Sequence, residues 1–324
     1  MKVSVIVTFV LSAVLLSLLL SPRVAAWFLD HPNERSLHSS PVPRTGGLSI
    51  VPALALGLIM AGADALLVAM VIALMLLSLL DDWKPLPAGW RLFGHLAVSA
   101  AFARLYFPSA GWIELAALTV SIGWMINLYN FMDGADGLAG GMTVIGFCIY
   151  AAAAASGGQG THALESLCVA AAGAAFLLFN FPPARIFLGD AGSIPLGFLA
   201  AALGALGWHG GAWPLWFPLV VFAPFIADAS VTLLRRAVHG ERVWRAHRSH
   251  YYQRLVLMGW SHRRLALAEY ALMLLSGGTA LVALRQLPAV QTVIVAALMV
   301  VYLLAGRTID RQWQARERGA RHGN

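Results

Sequence analysis

Apolar runs of about fifteen to twenty residues follow one another from end to end of this chain, each closed by a short polar break. A helix needs roughly 20 predominantly apolar residues to cross the hydrocarbon core of a bilayer. The runs predict eleven spans, near 3–21, 48–63, 65–80, 93–108, 112–129, 140–156, 163–180, 193–208, 213–233, 266–284 and 289–306. Only a short turn near Asp64 parts the second from the third, so the pattern gives ten or eleven. The expected fold is an all-α polytopic integral membrane protein, one domain over 1–324. Its longest polar segments are 22–47, 234–265 and the tail 307–324.

The first run could serve as a secretory signal ending near Ala26. It is longer than the usual apolar region of about 7–15 residues, and Arg23 follows it, so a retained first helix is expected.

Composition agrees: 59% of the 324 residues are hydrophobic and only 11% charged, against about a quarter charged in soluble domains. Cys148 and Cys168 both lie in apolar runs and offer no disulfide or metal-binding spacing. The net charge is +7 and the pI about 9.9. In a soluble protein that balance would suggest nucleic acid; here membrane orientation explains it, and no nucleic-acid partner is expected. With the N-terminus outside and the spans alternating, the segments 22–47, 81–92, 130–139, 181–192, 234–265 and the tail face the cytoplasm. The other side then holds only Lys2, Arg104 and Arg285 of the 22 Lys and Arg, as the positive-inside rule requires. The N-terminus is therefore expected to be periplasmic and the C-terminus cytoplasmic.

That orientation gathers four polar clusters on one face. LLDDWK carries Asp81 and Asp82. NLYNFMDGADGL carries Asn127, Asn130, Asp133 and Asp136 at intervals of three, a spacing that would keep successive side chains on roughly one helix face, although Gly134 and Gly137 would let the backbone break or bend there. NFPPARIFLGDAGS carries Asp190. The basic loop RAHRSHYYQRL carries His247, Arg248, His250 and Arg254. Carboxylate and amide oxygens suit a hard cation, and Mg²⁺ binds through one or two carboxylates while also taking substrate phosphates. Five clustered carboxylates would repel one another without a cation, and the basic loop would supply the complement for phosphate. Singly, each motif has a plainer reading. Asp-Gly pairs make turns, Asp81-Asp82 marks a polar boundary, and the loop arginines carry the orientation signal. His95, His162, His209 and His262 stand isolated and read as structural or solvated. Co-occurrence on one face favours a site.

Together with PVPRTGGLSI at 41–50, these motifs resemble, in kind and in order, the polyprenyl-phosphate N-acetylhexosamine-1-phosphate transferases of glycosyltransferase family 4. That family includes enzymes that prime O-antigen and the phospho-MurNAc-pentapeptide transferase of peptidoglycan synthesis. The resemblance covers almost the whole chain. It implies that a UDP-linked N-acetyl sugar gives its sugar-1-phosphate to undecaprenyl phosphate, releasing UMP, at the cytoplasmic side of the bacterial inner membrane. It implies Mg²⁺, with Mn²⁺ as a substitute, and is compatible with a homodimer. Asp190, helped by Asn130 or a nearby carboxylate, would hold the metal. Asp81 and Asp82 would lie beside the attacking phosphate, with Asp133 and Asp136 shaping the nucleotide and metal pocket. Arg44, His247, Arg248 and His250 would contact phosphates, and Asn127 would be structural or nucleotide-side. Many O-antigen primers carry a histidine triplet where this chain reads AHRSH. That departure looks like the subgroup handling 6-deoxy sugars such as FucNAc or QuiNAc, and less like the peptidoglycan enzyme.

Three rivals remain. A transporter would place its polar groups near the bilayer midplane, often in inverted repeats. A CDP-alcohol phosphotransferase would need an Ala-Arg soon after the first Asp-Gly, which DGADGLAGG lacks. A scaffold would need no clustered acids.

Overall fold

The computed structural model describes residues 2–21, 29–30, 37, 41–243 and 247–322. Ala26 and its surroundings lie outside the described residues. The helices are α1 (Lys2–Leu19), α2 (Gly46–Ala61), α3 (Ala65–Trp83), α4 (Ala88–Tyr106), α5 (Trp112–Phe131), α6 (Leu138–Ser156), α7 (Gly160–Asn180), α8 (Asp190–His209), α9 (Trp216–Val221), α10 (Ala223–Val238), α11 (Tyr251–Leu257), α12 (His262–Ala283) and α13 (Pro288–His322). Two short strands, β1 (Leu29–Asp30) and β2 (Val42–Pro43), pair antiparallel with Leu29 opposite Pro43.

Eight of these helices are long and apolar enough to cross a membrane: α1, α3, α5, α6, α7, α8, α12 and α13. The protein is therefore an all-α polytopic membrane protein. Each of the eleven expected spans falls on helix, but three depart from a simple crossing. The α2 helix is apolar yet only 16 residues long. The α4 helix carries Arg91 in its first turn and has a lower mean hydropathy. The run at 213–233 breaks into α9 and α10 at Phe222, where Pro224, in the first turn of α10, can donate no backbone N–H. The turn at Asp64 is real: Gly62 ends α2 in the left-handed region, and the Asp64 carboxylate caps α3 by accepting from Leu66 N–H at 2.9 Å.

Helices α6, α7 and α8 form the buried centre, and α1, α3 and α5 pack around them. Small residues allow close approach, as expected where lipid offers no hydrophobic contrast between helices. At Gly197 of α8, an added Cβ would stand 2.8 Å from Met125 O of α5. This contact draws the start of α8 alongside the end of α5.

The bundle has two distinct ends. Asp81, Asn130–Gly137, Ala184–Asp190 and the histidine loop meet at one end. The other gathers Tyr106, Phe107, Gln159 and His209, with Gln159 donating to Gly210 O. Two histidines expected to be isolated prove partnered there: His162 pairs with Glu165 at 3.3 Å, and His209 packs on Phe107.

Candidate active site

The site begins where the chain enters α2. Phe187 N–H donates to Pro43 O, Gly46 N–H to Phe187 O and Gly47 N–H to Leu188 O, all at 2.8–2.9 Å. The segments PRTGG and FLGD thus run side by side. The approach is so tight that a Cβ on Gly47 would stand 2.2 Å from Gly192 N. This pairing sets Arg44 opposite Asp190, whose Oδ1 accepts from the guanidinium at 3.1 Å. Asp190 is the first residue of α8, at the positive end of the helix dipole.

A second arginine enters from α4. Arg91 donates to Asp81 Oδ2 at 3.1 Å and lies 3.9 Å from Asp190 Oδ2. Asp81 also accepts from Leu86 N–H at 2.7 Å, which folds the KPLP turn back toward the site. Asp82 is exposed and within electrostatic reach of Arg44, Asp190, Asp81 and Arg91. Among the described residues, Arg44 and Arg91 are the cations that face these acids. The sequence suggests phosphate contacts for Arg44 and the histidine loop, and Arg91 enters only the orientation count.

The evenly spaced run from Asn127 to Asp136 does not form one helix face. Helix α5 ends at Phe131, and Gly137, at φ 76°, starts a new direction. Asn127 lies a turn inside α5, donates to Gly123 O and contacts His95. Asn130 Oδ1 accepts from Ser193 Oγ of α8 at 2.7 Å. Asp133 turns toward Asp190 and Arg44. Burial pushes its carboxyl well above the usual carboxylate range, Arg44 opposes the rise, Asp190 adds to it, and a backbone bond from Gly189 opposes it again. Asp136 turns the other way. Its Oδ1 pairs with His262 Nδ1 at 3.0 Å and its Oδ2 accepts from Ala184 N–H at 3.0 Å. His262, expected to be isolated, thus ties α12 to this turn. Buried Asn180 adds a further tie by accepting from Gly137 N–H and donating to Ile186 O.

The histidine loop reaches the same end through Phe131. The His250 ring stacks on Phe131 at 6.2 Å and packs against His247 at 4.8 Å. His250 is buried. Its Nδ1 lies 3.1 Å from Asp228 Oδ1, and that carboxylate also accepts Tyr251 and Tyr252 N–H. His247 is half-buried and Arg248 exposed. Asp228 escaped notice because it sits alone in an apolar run.

The donor set suits a hard cation. Asp81, Asp82, Asp133 and Asp190 face two guanidiniums, and burial, with Asp190 adding to it, pushes the Asp133 carboxyl up. Among the described residues, no three His, Cys, Asp or Glu side chains form a ready-made metal cage. Mg²⁺ needs no such cage when substrate phosphates complete its shell.

Known proteins resemble this chain along most of its length. The sequence model of glycosyl transferase family 4 matches residues 65–207. A probable undecaprenyl-phosphate N-acetylglucosaminyl 1-phosphate transferase of Bacillus subtilis is 30% identical over 293 residues, covering 83% of this chain and 82% of that protein. A decaprenyl-phosphate N-acetylglucosaminephosphotransferase of Mycobacterium tuberculosis is 31% identical over 305 residues, covering 78% and 74%. A phospho-N-acetylmuramoyl-pentapeptide-transferase of Geobacillus kaustophilus is 28% identical over 313 residues, covering 85% and 94%. Matched along most of its length to enzymes of this kind, the chain belongs to glycosyl transferase family 4.

Proposed function

We propose that this protein transfers an N-acetylhexosamine 1-phosphate from a UDP-sugar to undecaprenyl phosphate at the cytoplasmic side of the bacterial inner membrane. The observation that carries this reading is the convergence of Arg44, Arg91, Asp81, Asp82, Asp133 and Asp190 from four separate segments at one end of the bundle. A transporter site at mid-membrane would not need that placement.

The chemistry asks two anions to meet. A phosphate monoester has its second pKa near 6, so the lipid phosphate is already mostly a dianion at neutral pH. Its oxygen attacks the β-phosphorus of the UDP-sugar, the β-phosphorus–oxygen bond to UMP breaks, and UMP leaves with the bond electrons. Arg44 and Arg91 stabilise the phosphoryl charge, and Asp81, held by Arg91, orients the attacking phosphate. Asp190, Asp133 and Asn130 would hold Mg²⁺, which supplies charge neutralisation for the diphosphate. His247 and Arg248 contact the donor from the rim, while His250 keeps their loop in place. Direct displacement is the expected route, so enzyme given labelled UDP-sugar without lipid should trap no covalent phosphosugar.

The names of the relatives support UDP-N-acetylglucosamine as donor. The AHRSHYYQRL form of the loop supports a 6-deoxy sugar as the second reading. Membranes carrying the protein, given undecaprenyl phosphate, Mg²⁺ and radiolabelled UDP-GlcNAc, UDP-FucNAc, UDP-QuiNAc or UDP-MurNAc-pentapeptide in turn, decide between them. The donor that yields organic-extractable label with release of UMP names the substrate. No lipid-linked product from any donor would overturn the proposal.

A further inference from the structure

The last helix, α13, has 35 residues. At 1.5 Å per residue it is about 52 Å long, well beyond the roughly 30 Å of a hydrocarbon core. Trp216 Nε1 of α9 donates to Gln291 near its start, and Tyr302 shares a 2.7 Å hydrogen bond with Ser276 of α12. Past Gly306 the helix leaves its apolar stretch and continues, unbroken, at the site end.

There it meets the helix that follows the histidine loop. Asp310 accepts hydrogen bonds from both terminal nitrogens of Arg235, from Arg254 at 3.0 Å and from Tyr251 Oη at 3.3 Å. The Arg254 guanidinium also lies over the rings of Tyr251 and Trp313, at 5.4 and 5.8 Å. Arg316 donates to Leu257 O at the far end of α11. One face of the extension therefore holds α11 along its whole length. In turn α11 holds the site: Tyr252 Oη donates to Phe131 O at 3.0 Å, and His250, just before α11, stacks on the Phe131 ring. Phe131 follows Asn130 directly and precedes Asp133 by two residues.

We infer that the extension beyond Gly306 is a strut for the histidine loop, with Asp310 as a positioning residue that acts through Arg254 and Tyr251 on His247 and Arg248. As to what the loop handles, the inference rests on the donor reading above; the strut itself does not. A tail serving only as an orientation signal would need no carboxylate here. Asp310 is nearly buried against two arginines from different helices, and such charge-assisted bonds hold geometry as well as adding stability.

Purified full-length Asp310→Asn in nanodiscs should raise KM for the UDP-sugar about tenfold, as expected for losing charged bonds that set a binding loop. KM for undecaprenyl phosphate and kcat should change by less than about twofold. Asp310→Glu should recover most of the donor affinity. A parallel measurement needs no activity: limited trypsin cleavage after Arg248 should be faster in Asp310→Asn than in the parent and near parental in Asp310→Glu. Unchanged donor KM together with unchanged cleavage would overturn the strut. So would a uniform loss in kcat and both KM values that follows a lowered Tm. If the parent itself transfers nothing from UDP-sugars, the functional reading fails instead, and the cleavage comparison still decides the strut.

Discussion

Ser193 Oγ donates to Asn130 Oδ1 across 2.7 Å, joining the first turn of α8 to the last turn of α5. The same hydroxyl lies 3.2 Å from Gly189 O, a second and more distant acceptor for its single hydrogen. The bond fixes which way the Asn130 amide faces and leaves its oxygen one free lone pair. Partners that orient a ligating group are worth about 10–100-fold in metal affinity. Ser193→Ala should therefore weaken apparent Mg²⁺ affinity in transfer assays by about tenfold while costing only about 1 kcal/mol of stability. Normal Mg²⁺ titration of the variant would remove Asn130 from the metal set.

Among the described residues, Asp190 is the carboxylate that forms ion pairs with both Arg44 and Arg91, at 3.1 and 3.9 Å. Asp190→Asn keeps the shape and removes the charge that holds the two cations in register. Transfer should fall by about 10³-fold or more, as when a preorganised charge at a reacting centre is lost. Yield from membranes and the helical circular dichroism spectrum should stay parental. Near-normal turnover would show that Asp190 neither orients the arginines nor takes part in holding the ion.

The helices and the four motifs were legible because apolar length and local turn chemistry are written in neighbouring residues. The contacts that build the site were not, because they join distant ones. Arg91 looked like any cytoplasmic arginine, and its partner Asp81 lies across a proline-containing turn whose fold cannot be read from spacing. His262 is 126 positions from Asp136. The three-residue repeat and the glycines within it pointed in different directions, and the glycines prevail. The repeat would give one face only if α5 continued, but Gly134 and Gly137 let the chain turn, so Asp133 and Asp136 diverge.

That divergence makes a test of its own. His262 and Ala184 N–H take both Asp136 oxygens, so Asp136 acts as a tie between the loops at 132–137 and 181–189. His262→Ala should destabilise the protein by about 1.5–3 kcal/mol, the worth of a hydrogen bond to a charged group. Thermal unfolding in detergent would show it. A parental Tm would mean that the pair is screened by solvent and does not hold these loops together.

The crossing of Gly47 and Gly192 is backbone against backbone, so no side-chain rotation can relieve an added methyl. Gly47→Ala should cost about 3 kcal/mol from overpacking and part the Gly46 and Gly47 bonds to Phe187 and Leu188. Arg44 would then leave Asp190, and transfer should be lost. Gly278 of α12 has open space where a Cβ would go. Gly278→Ala should be neutral or stabilise the helix by about 0.5–1 kcal/mol, which separates local clash from a general dislike of change in this bundle.

Asp133 gives the sharpest pH dependence. Without a cation, its carboxyl in the folded protein holds a proton that the unfolded chain releases at ordinary carboxylate values, because burial disfavours its charge. Between the unfolded value, about 3.9, and the raised folded one, the native state binds more protons than the unfolded state. In that window the Asp133 contribution to stability therefore falls as pH rises. In EDTA, Asp133→Asn should remove that slope, and at neutral pH the variant should unfold at a higher temperature than the parent. Adding Mg²⁺ should raise the parental Tm, increasingly so at higher pH where less proton must be displaced, and should do little for the variant. Transfer by Asp133→Asn should be abolished even though the protein is more stable. If the variant proves less stable than the parent in EDTA at neutral pH, the carboxylate is already compensated inside the protein and no cation is needed to hold it.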